Sequence, residues 1–160
     1  MRATDDHSPT MPKSYTSLVY HLIFSTYERR PIITLDRRPR LYEYVGGIIR
    51  ELGGSLIAVG GIEDHLHLLP RLRPDKALSD TLRVLKANST GWMHDVFPDA
   101  NDFAWQKGYG AFTVSKSLIP TVSAYIANQE QHHHKRTFRE EFIEILRVNE
   151  VPFDEKYLWS

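Results

Sequence analysis

Glu63-Asp64-His65-Leu66-His67-Leu68-Leu69 sets two histidines on either side of one leucine inside an apolar run. In a β-strand successive side chains alternate faces, so His65 and His67 point one way and Leu66 the other. One face then offers two imidazoles to a common point, while the opposite face packs into a core. Two imidazoles on rigid backbone are the beginning of a metal site. The stretch also describes two histidines on the polar face of a half-buried strand. The rest of the chain decides between these by whether it supplies a third ligand and a group worth activating.

Working outward toward the N-terminus, Ser55 to Val59 reads as a short apolar strand, and Gly60-Gly61-Ile62-Glu63-Asp64 as the lead into the histidine strand. The two strands are close enough for a hairpin or a bulged pairing. Before them, Leu41, Tyr44, Val45, Ile48, Ile49 and Leu52 recur at helical spacing, ended by Gly53-Gly54. Thr34 or Asp36 is placed to cap that helix, with Pro39 in its first turn. From Ser14 to Thr26, two interleaved apolar sets predict a strand buried on both faces, with His21 a satisfied polar group in the sheet. Residues 1–12 are polar, carry Pro9 and Pro12, and read as a disordered leader.

Toward the C-terminus, Pro70 is expected to break the histidine strand because it has no backbone donor. Arg71-Leu-Arg-Pro-Asp-Lys76 is a basic loop, and a helix runs from Leu78 toward Met93 and Phe97, with Arg83 and Lys86 on one face. Phe103 to Ser115 interleaves aromatics with Gly108 and Gly110, the mark of strand, close backbone approach and strand. Ser117 opens a helix with Pro120 in its first turn, and Phe138 to Val148 is an amphipathic helix with Phe142, Ile145 and Leu146 on one side. Strand-helix-strand twice over predicts an α+β fold. Its architecture is a ferredoxin-like split β-α-β: a central antiparallel sheet, helices on one face, and a C-terminal helix carrying Tyr125. The first strand and the histidine strand lie centrally in that arrangement, which suits a preorganised site.

At 160 residues the chain has a one-domain length. The expected division is residues 1–12 as leader, 13–138 as the functional domain, and 139–160 as C-terminal helix and acidic tail. No apolar run approaches the roughly 18–20 residues of a membrane span, and no apolar segment opens the chain as in a signal peptide. The absence of cysteine excludes disulfides, thiol catalysis and thiolate metal sites, and fits a reducing cytoplasm. Formal net charge is zero, but 16 Lys and Arg stand against 12 Asp and Glu between Lys13 and Arg136. A mildly basic body with an acidic tail is compatible with a phosphate backbone as partner.

Tyr125 and Gln129 are four apart on the helix from Ser117 and project from one face. A Gln carbonyl oxygen can join two neutral imidazoles on a metal and leave positions open for substrate oxygens. A phenol beside it is a possible nucleophile, although its ordinary pKa near 10 calls for assistance. Taken alone, the pair also reads as a packing tyrosine and a solvated glutamine.

The combination of motifs carries more. Asp64-His-Leu-His-Leu-Leu69, Trp105-Gln-Lys-Gly-Tyr-Gly-Ala-Phe-Thr-Val-Ser115 and Tyr125-Ile-Ala-Asn-Gln129-Glu-Gln-His-His133, in that order, resemble the single-tyrosine HUH transposases. These belong to small bacterial insertion sequences and to domesticated relatives associated with repetitive extragenic palindromes. The resemblance spans about Ser14 to Phe138. It implies that His65, His67 and Gln129 hold Mg²⁺ or Mn²⁺ and that Tyr125 attacks single-stranded DNA. The product is a 5′-phosphotyrosine link and a free 3′-OH, later rejoined to another end. It further implies a bacterial, nucleoid-associated endonuclease and strand transferase. Its substrate carries a DNA hairpin, and it works as a homodimer whose tyrosine helix acts in trans. Arg71, Arg73, Lys76, Arg83 and Lys86 are the candidate phosphate contacts, or else a solvated basic face. His132-His133-His134 is read as supporting or DNA-facing, because consecutive helical residues diverge. Pro70 and the long acidic tail depart from the family pattern.

Two readings from other classes stay open: a domesticated binder of hairpin DNA or RNA without turnover, and a metal hydrolase with His65, His67 and Asp64 around Zn²⁺.

Overall fold

Four short strands and five helices follow from this pattern in the computed structural model, which describes residues 14–159. The predicted leader lies outside the described residues. The elements are β1 (Tyr20–Ser25), α1 (Arg38–Glu51), β2 (Ser55–Ile62), β3 (His65–Arg71), α2 (Leu78–Val96), β4 (Gly110–Thr113), α3 (Ile119–Ala127), α4 (Gln129–His133) and α5 (Phe138–Val148). The sheet order is β2-β3-β1-β4 with every pair antiparallel, so β1 and the histidine strand β3 are central, as the motif order predicts.

Alternation along β3 and β1 gives the sheet two different faces. Leu66 and Leu68 join Leu22 and Phe24 in the larger core, against Leu41, Val45, Ile48 and Ile49 of α1 and Leu82, Leu85 and Met93 of α2. Full burial of each such side chain contributes about 1.5–3 kcal/mol, so a one-residue register slip would be severely penalised. His65 and His67 therefore stay locked on the other face. There Leu69 and Val19 pack on Ile126 of α3, and Ile23 packs on Phe138 and Leu146 of α5. The C-terminal helices, including the tyrosine-bearing α3, thus cover the histidine face.

Several local expectations are corrected. β3 does not stop at Pro70 but runs to Arg71, with Leu56 opposite Pro70 and a bulge between Leu56 and Ala58. Backbone bonds Thr26 N–H to Asp64 O and Leu72 N–H to Leu18 O fix the alternation between β1 and β3. That alternation puts the missing Pro70 donor opposite Tyr20. The ladder skips the pairs His21–Leu69 and Tyr20–Pro70 and resumes at Val19 with Arg71. Gly60-Gly61-Ile62 is part of β2 rather than a connection, leaving Glu63-Asp64 as a two-residue turn. Neither Thr34 nor Asp36 caps α1. Thr34 donates its hydroxyl to Asp36, and its carbonyl accepts from the Arg37 and Arg38 N–H groups, starting the helix through a turn. Within 103–115 only β4 is a strand, and Trp105 makes a single bridge to Thr26. The intervening Gly108 has φ +82°, a conformation that favours glycine. A 3₁₀ turn at Lys116–Leu118 precedes α3, so that helix begins at Ile119 rather than Ser117.

Candidate active site

The two strand histidines are fully buried and held from behind. Asp64 Oδ1 lies 2.7 Å from His65 Nδ1. A carboxylate only accepts, so this nitrogen carries a proton and Nε2 faces forward. His67 Nδ1 lies 2.8 Å from His21 Nε2, which likewise turns the His67 Nε2 forward. His21 thus has a partner in the sheet, as expected, and that partner is a site residue. Carboxylate or imidazole backing of this kind orients metal-binding histidines.

Tyr125 and Gln129 reach the same space although their helix is interrupted. Asn128 (φ −101°, ψ 25°) separates α3 from α4. The break leaves Gln129 about one turn beyond Tyr125 and buried. Its Oε1 is 3.1 Å from His65 Nε2 and 3.1 Å from His133 Nε2, and its Nε2 donates to the Tyr125 carbonyl at 3.4 Å. The Tyr125 ring stands edge-on to His67 of its own chain, with centroids 5.8 Å apart. α3 can lie this close because β2 has no side chain at Gly60, where a Cβ would meet the Ile126 carbonyl oxygen at 2.2 Å.

A further member of the site is Glu141 of α5. Only 1% exposed, its carboxylate accepts from the Tyr125 hydroxyl through Oε2. Its Oε1 lies 3.0 Å from His67 Nε2, 3.5 Å from His65 Nε2 and 3.3 Å from His133 Nε2. A capping box between Thr137 and Glu140 sets the start of α5, and Phe138 stacks on His65 at 4.4 Å. Sequence reading assigned α5 to the tail and missed Glu141. The signal was present: Glu141 follows Phe138 by three and precedes Ile145 by four, so it falls in the apolar stripe. A carboxylate there must be paired. His133, read as no more than a supporting residue, is buried in the cluster and donates from Nδ1 to the Arg136 carbonyl at 2.9 Å.

Charge in this pocket is strongly redistributed. Burial lowers His65, but Asp64 and Glu141 more than reverse this and lift it to about 9. Burial, opposed by the Glu141 hydrogen bond, takes His67 down to about 4. Burial and the nearby His67 take His21 down to about 3. Burial favours a protonated Glu141, yet hydrogen bonds from His133, His65 and His67 hold it far below the usual carboxylate range. Burial and the Glu141 carboxylate push the Tyr125 phenol above its ordinary value. Without a cation, then, the site is an ionised carboxylate balanced by imidazolium, with the phenol kept protonated.

The donor set fits a divalent ion. His65, His67 and Glu141 are all buried, and each offers one ligand atom, all within 4.8 Å of one another. Gln129 adds an amide oxygen beside His65.

The five basic candidates stand apart from this cluster in their contacts. Lys86 is half-buried and donates to the Gln106 carbonyl at 2.9 Å and to the Gly108 carbonyl, so it anchors that loop. Arg73 is forked onto Asp75 at 3.0 and 2.9 Å. Arg83 lies 3.6 Å from Asp80. Arg71 and Lys76 are exposed. Among the described residues, no helix is long and apolar enough to cross a membrane.

Residues 14–129 match the family model for IS200-like transposases. The ISDra2 transposase TnpA of Deinococcus radiodurans is 26% identical over 117 residues, covering 70% of this chain and 84% of that protein. The IS200 insertion-element transposase of Salmonella typhimurium is 27% identical over 119 residues, covering 69% and 75%. A transposase crystal structure from Deinococcus radiodurans R1 superposes with TM-score 0.63 at 27% identity, over 74% of this chain and 95% of that one. A REP-associated tyrosine transposase bound to a REP hairpin shares the fold, with TM-score 0.58 at 15% identity over 77% and 73%.

Proposed function

Because the chain belongs to the IS200-like transposases, a family whose activity is DNA transposition, we propose that it cleaves and rejoins single-stranded DNA by transesterification at Tyr125. The observation that carries this reading is convergence on one carboxylate. The Tyr125 hydroxyl and the Nε2 atoms of His65 and His67 all meet Glu141. A nucleophile and a pair of potential ligands thus share one buried point.

His65, His67 and Gln129 would hold the cation in this reading, Mg²⁺ or Mn²⁺, which would supply charge neutralisation at a scissile phosphate oxygen. Tyr125 Oη forms the new bond to phosphorus as the bond to the 3′ oxygen breaks. The phenolic proton leaves toward Glu141 Oε2, its existing acceptor, and the 3′ oxygen takes up a proton to become a free 3′-OH. The reverse attack by a 3′-OH, from the same or another end, restores a phosphodiester and returns the proton to Tyr125. No nucleotide cofactor is needed, because the covalent link conserves the phosphodiester energy.

The relative solved on a REP hairpin supports a folded single strand as substrate, and acting on it puts the protein in the cytoplasm at the nucleoid. Arg71, Arg73, Lys76, Arg83 and Lys86 remain the proposed phosphate contacts. Dimerisation with the tyrosine helix acting in trans is tested by mixing Tyr125→Phe and His67→Ala proteins. Recovery of cleavage in the mixture supports exchange between subunits, and none supports action within one chain.

The decisive experiment incubates the protein with Mg²⁺ or Mn²⁺ and hairpin-bearing single-stranded DNA, then looks for a denaturation-resistant protein–DNA adduct. Wild type forms it. Tyr125→Phe does not, and His67→Ala binds DNA without cleaving it. An adduct on Tyr125→Phe would overturn the assignment of the nucleophile.

A further inference from the structure

We infer that Glu141 is an additional protein ligand of the metal, so α5 is a working part of the active centre. The inference rests on the metal-assisted reading above and deepens it. α5 lies beyond the residues that match the family model, 14–129.

Three observations carry it. First, Glu141 Oε1 stands 3.0 Å from His67 Nε2 and 3.5 Å from His65 Nε2. Neighbouring ligands of one ion, at about 2.1 Å each and 90–110° apart, are separated by about 3.0–3.5 Å. Oε1 already stands at ligand-to-ligand spacing from both imidazole nitrogens.

Second, Glu141 addresses the nitrogens of His65 and His67 that are left for a metal. The rear nitrogens are occupied by Asp64 on His65 and by His21 on His67. Glu141 meets the forward Nε2 atoms.

Third, Glu141 is only 1% exposed, and a buried carboxylate has to be paired, which a cation seated between it and the two imidazoles would do. The helix is also built to hold this carboxylate in place, through the Thr137–Glu140 capping box and the Phe138 stack on His65. With Oε1 on the ion and Oε2 on the Tyr125 hydroxyl, one residue would set the distance between cation and nucleophile.

The test titrates Mn²⁺ alone into the full-length protein, without DNA, by calorimetry and by metal-induced change in Tm. Glu141→Gln keeps the shape and removes the charge, and its Mn²⁺ affinity should fall roughly tenfold or more, with most of the Tm rise lost. Glu141→Asp keeps the charge with a shorter reach and should bind between wild type and Glu141→Gln. Tyr125→Phe, which removes only the contact on Oε2, should stay within about threefold of wild type. Metal-free circular dichroism establishes that each variant is folded. If Glu141→Gln does not fold, the position of Glu141→Asp relative to wild type decides. Mn²⁺ binding by Glu141→Gln that equals wild type overturns the inference, and tighter binding would make the carboxylate a plug that metal must displace. If His67→Ala loses Mn²⁺ while Glu141→Gln keeps it, only this inference fails. If wild type binds no Mn²⁺, the metal-assisted reading fails with it.

Discussion

His21 Nε2 and His67 Nδ1 face each other at 2.8 Å, so one of them carries the hydrogen and the other accepts it. Without metal, Glu141 can only accept, so His67 Nε2 carries hydrogen and Nδ1 accepts from His21 Nε2. A cation on His67 Nε2 needs the lone pair there. The proton then sits on Nδ1, and His21 Nε2 becomes the acceptor. Only a group able to donate or accept at that spot supports both states. His21→Leu should therefore weaken Mn²⁺ binding by about 10-fold, the usual effect of losing such a backing partner. His21→Gln, whose amide can turn either way, should recover part of it. Calorimetric titration of both variants checks this, and an unaltered His21→Leu affinity would refute it.

Stability of the metal-free protein should pass through a maximum near pH 6.5–7, with a decline on each side. His21 and His67 are lowered in the fold from 6.5 to about 3 and about 4. Their contribution is complete above pH 6.5 and is lost as pH falls toward 4 and 3, because the fold must keep them neutral. The lowered Glu141 acts in the same direction. His65, raised to about 9, contributes fully below pH 6.5, and that contribution is lost as pH rises through 9. Thermal melts across pH 4–10 test the shape. A Tm that is flat from pH 5 to 9 would contradict the charge arrangement in the pocket.

How much of this was legible beforehand follows from what each feature depends on. The central position of the histidine strand and the two-faced sheet were readable because alternation and element order dictate them. The nearness of Tyr125 and Gln129 was readable because a four-residue spacing survives the local break at Asn128. Pro70 misled, since its missing donor interrupts only two pairs of the ladder, which resumes at Val19 with Arg71. Glu141 was missed because its partners lie 74 and 16 residues away in sequence. Local pattern marks it only as a charge in an apolar stripe. The Lys86 ammonium, proposed as a phosphate contact, also bonds to the carbonyls of Gln106 and Gly108. No spacing rule encodes that contact.

Gly60→Ala should impair chemistry more than folding. An added Cβ would stand 2.2 Å from the Ile126 carbonyl oxygen, a backbone atom of α3, so the helix must retreat. Overpacking of this kind costs about 1–3 kcal/mol. Tyr125 is the neighbouring residue on that helix. A shift of about 1 Å at a reacting group can cost on the order of 100-fold in rate. Melting temperature and single-turnover adduct formation, measured on the same preparation, separate the two effects. Adduct formation at the wild-type rate would show that α3 does not need this close seat.

Arg38 joins the two halves of the site from outside. From the first turn of α1 its guanidinium donates to Glu130 at 2.8 Å, to Glu63 at 3.3 Å and to the Ile33 carbonyl at 3.2 Å. Glu63 adjoins Asp64, which orients His65, and Glu130 adjoins Gln129. Both glutamates are substantially exposed, so removing the arginine leaves them solvated. The cost to stability should therefore be modest, about 1–2 kcal/mol, rather than that of a broken fully buried pair. Arg38→Met preserves the apolar stem and should show this loss in urea unfolding, together with weaker Mn²⁺ binding as Gln129 and His65 lose their common brace. Arg38→Lys cannot span three acceptors with one ammonium and should resemble Arg38→Met more than wild type. Full Mn²⁺ affinity in both variants would show that β3 and α4 hold their ligands without this strut.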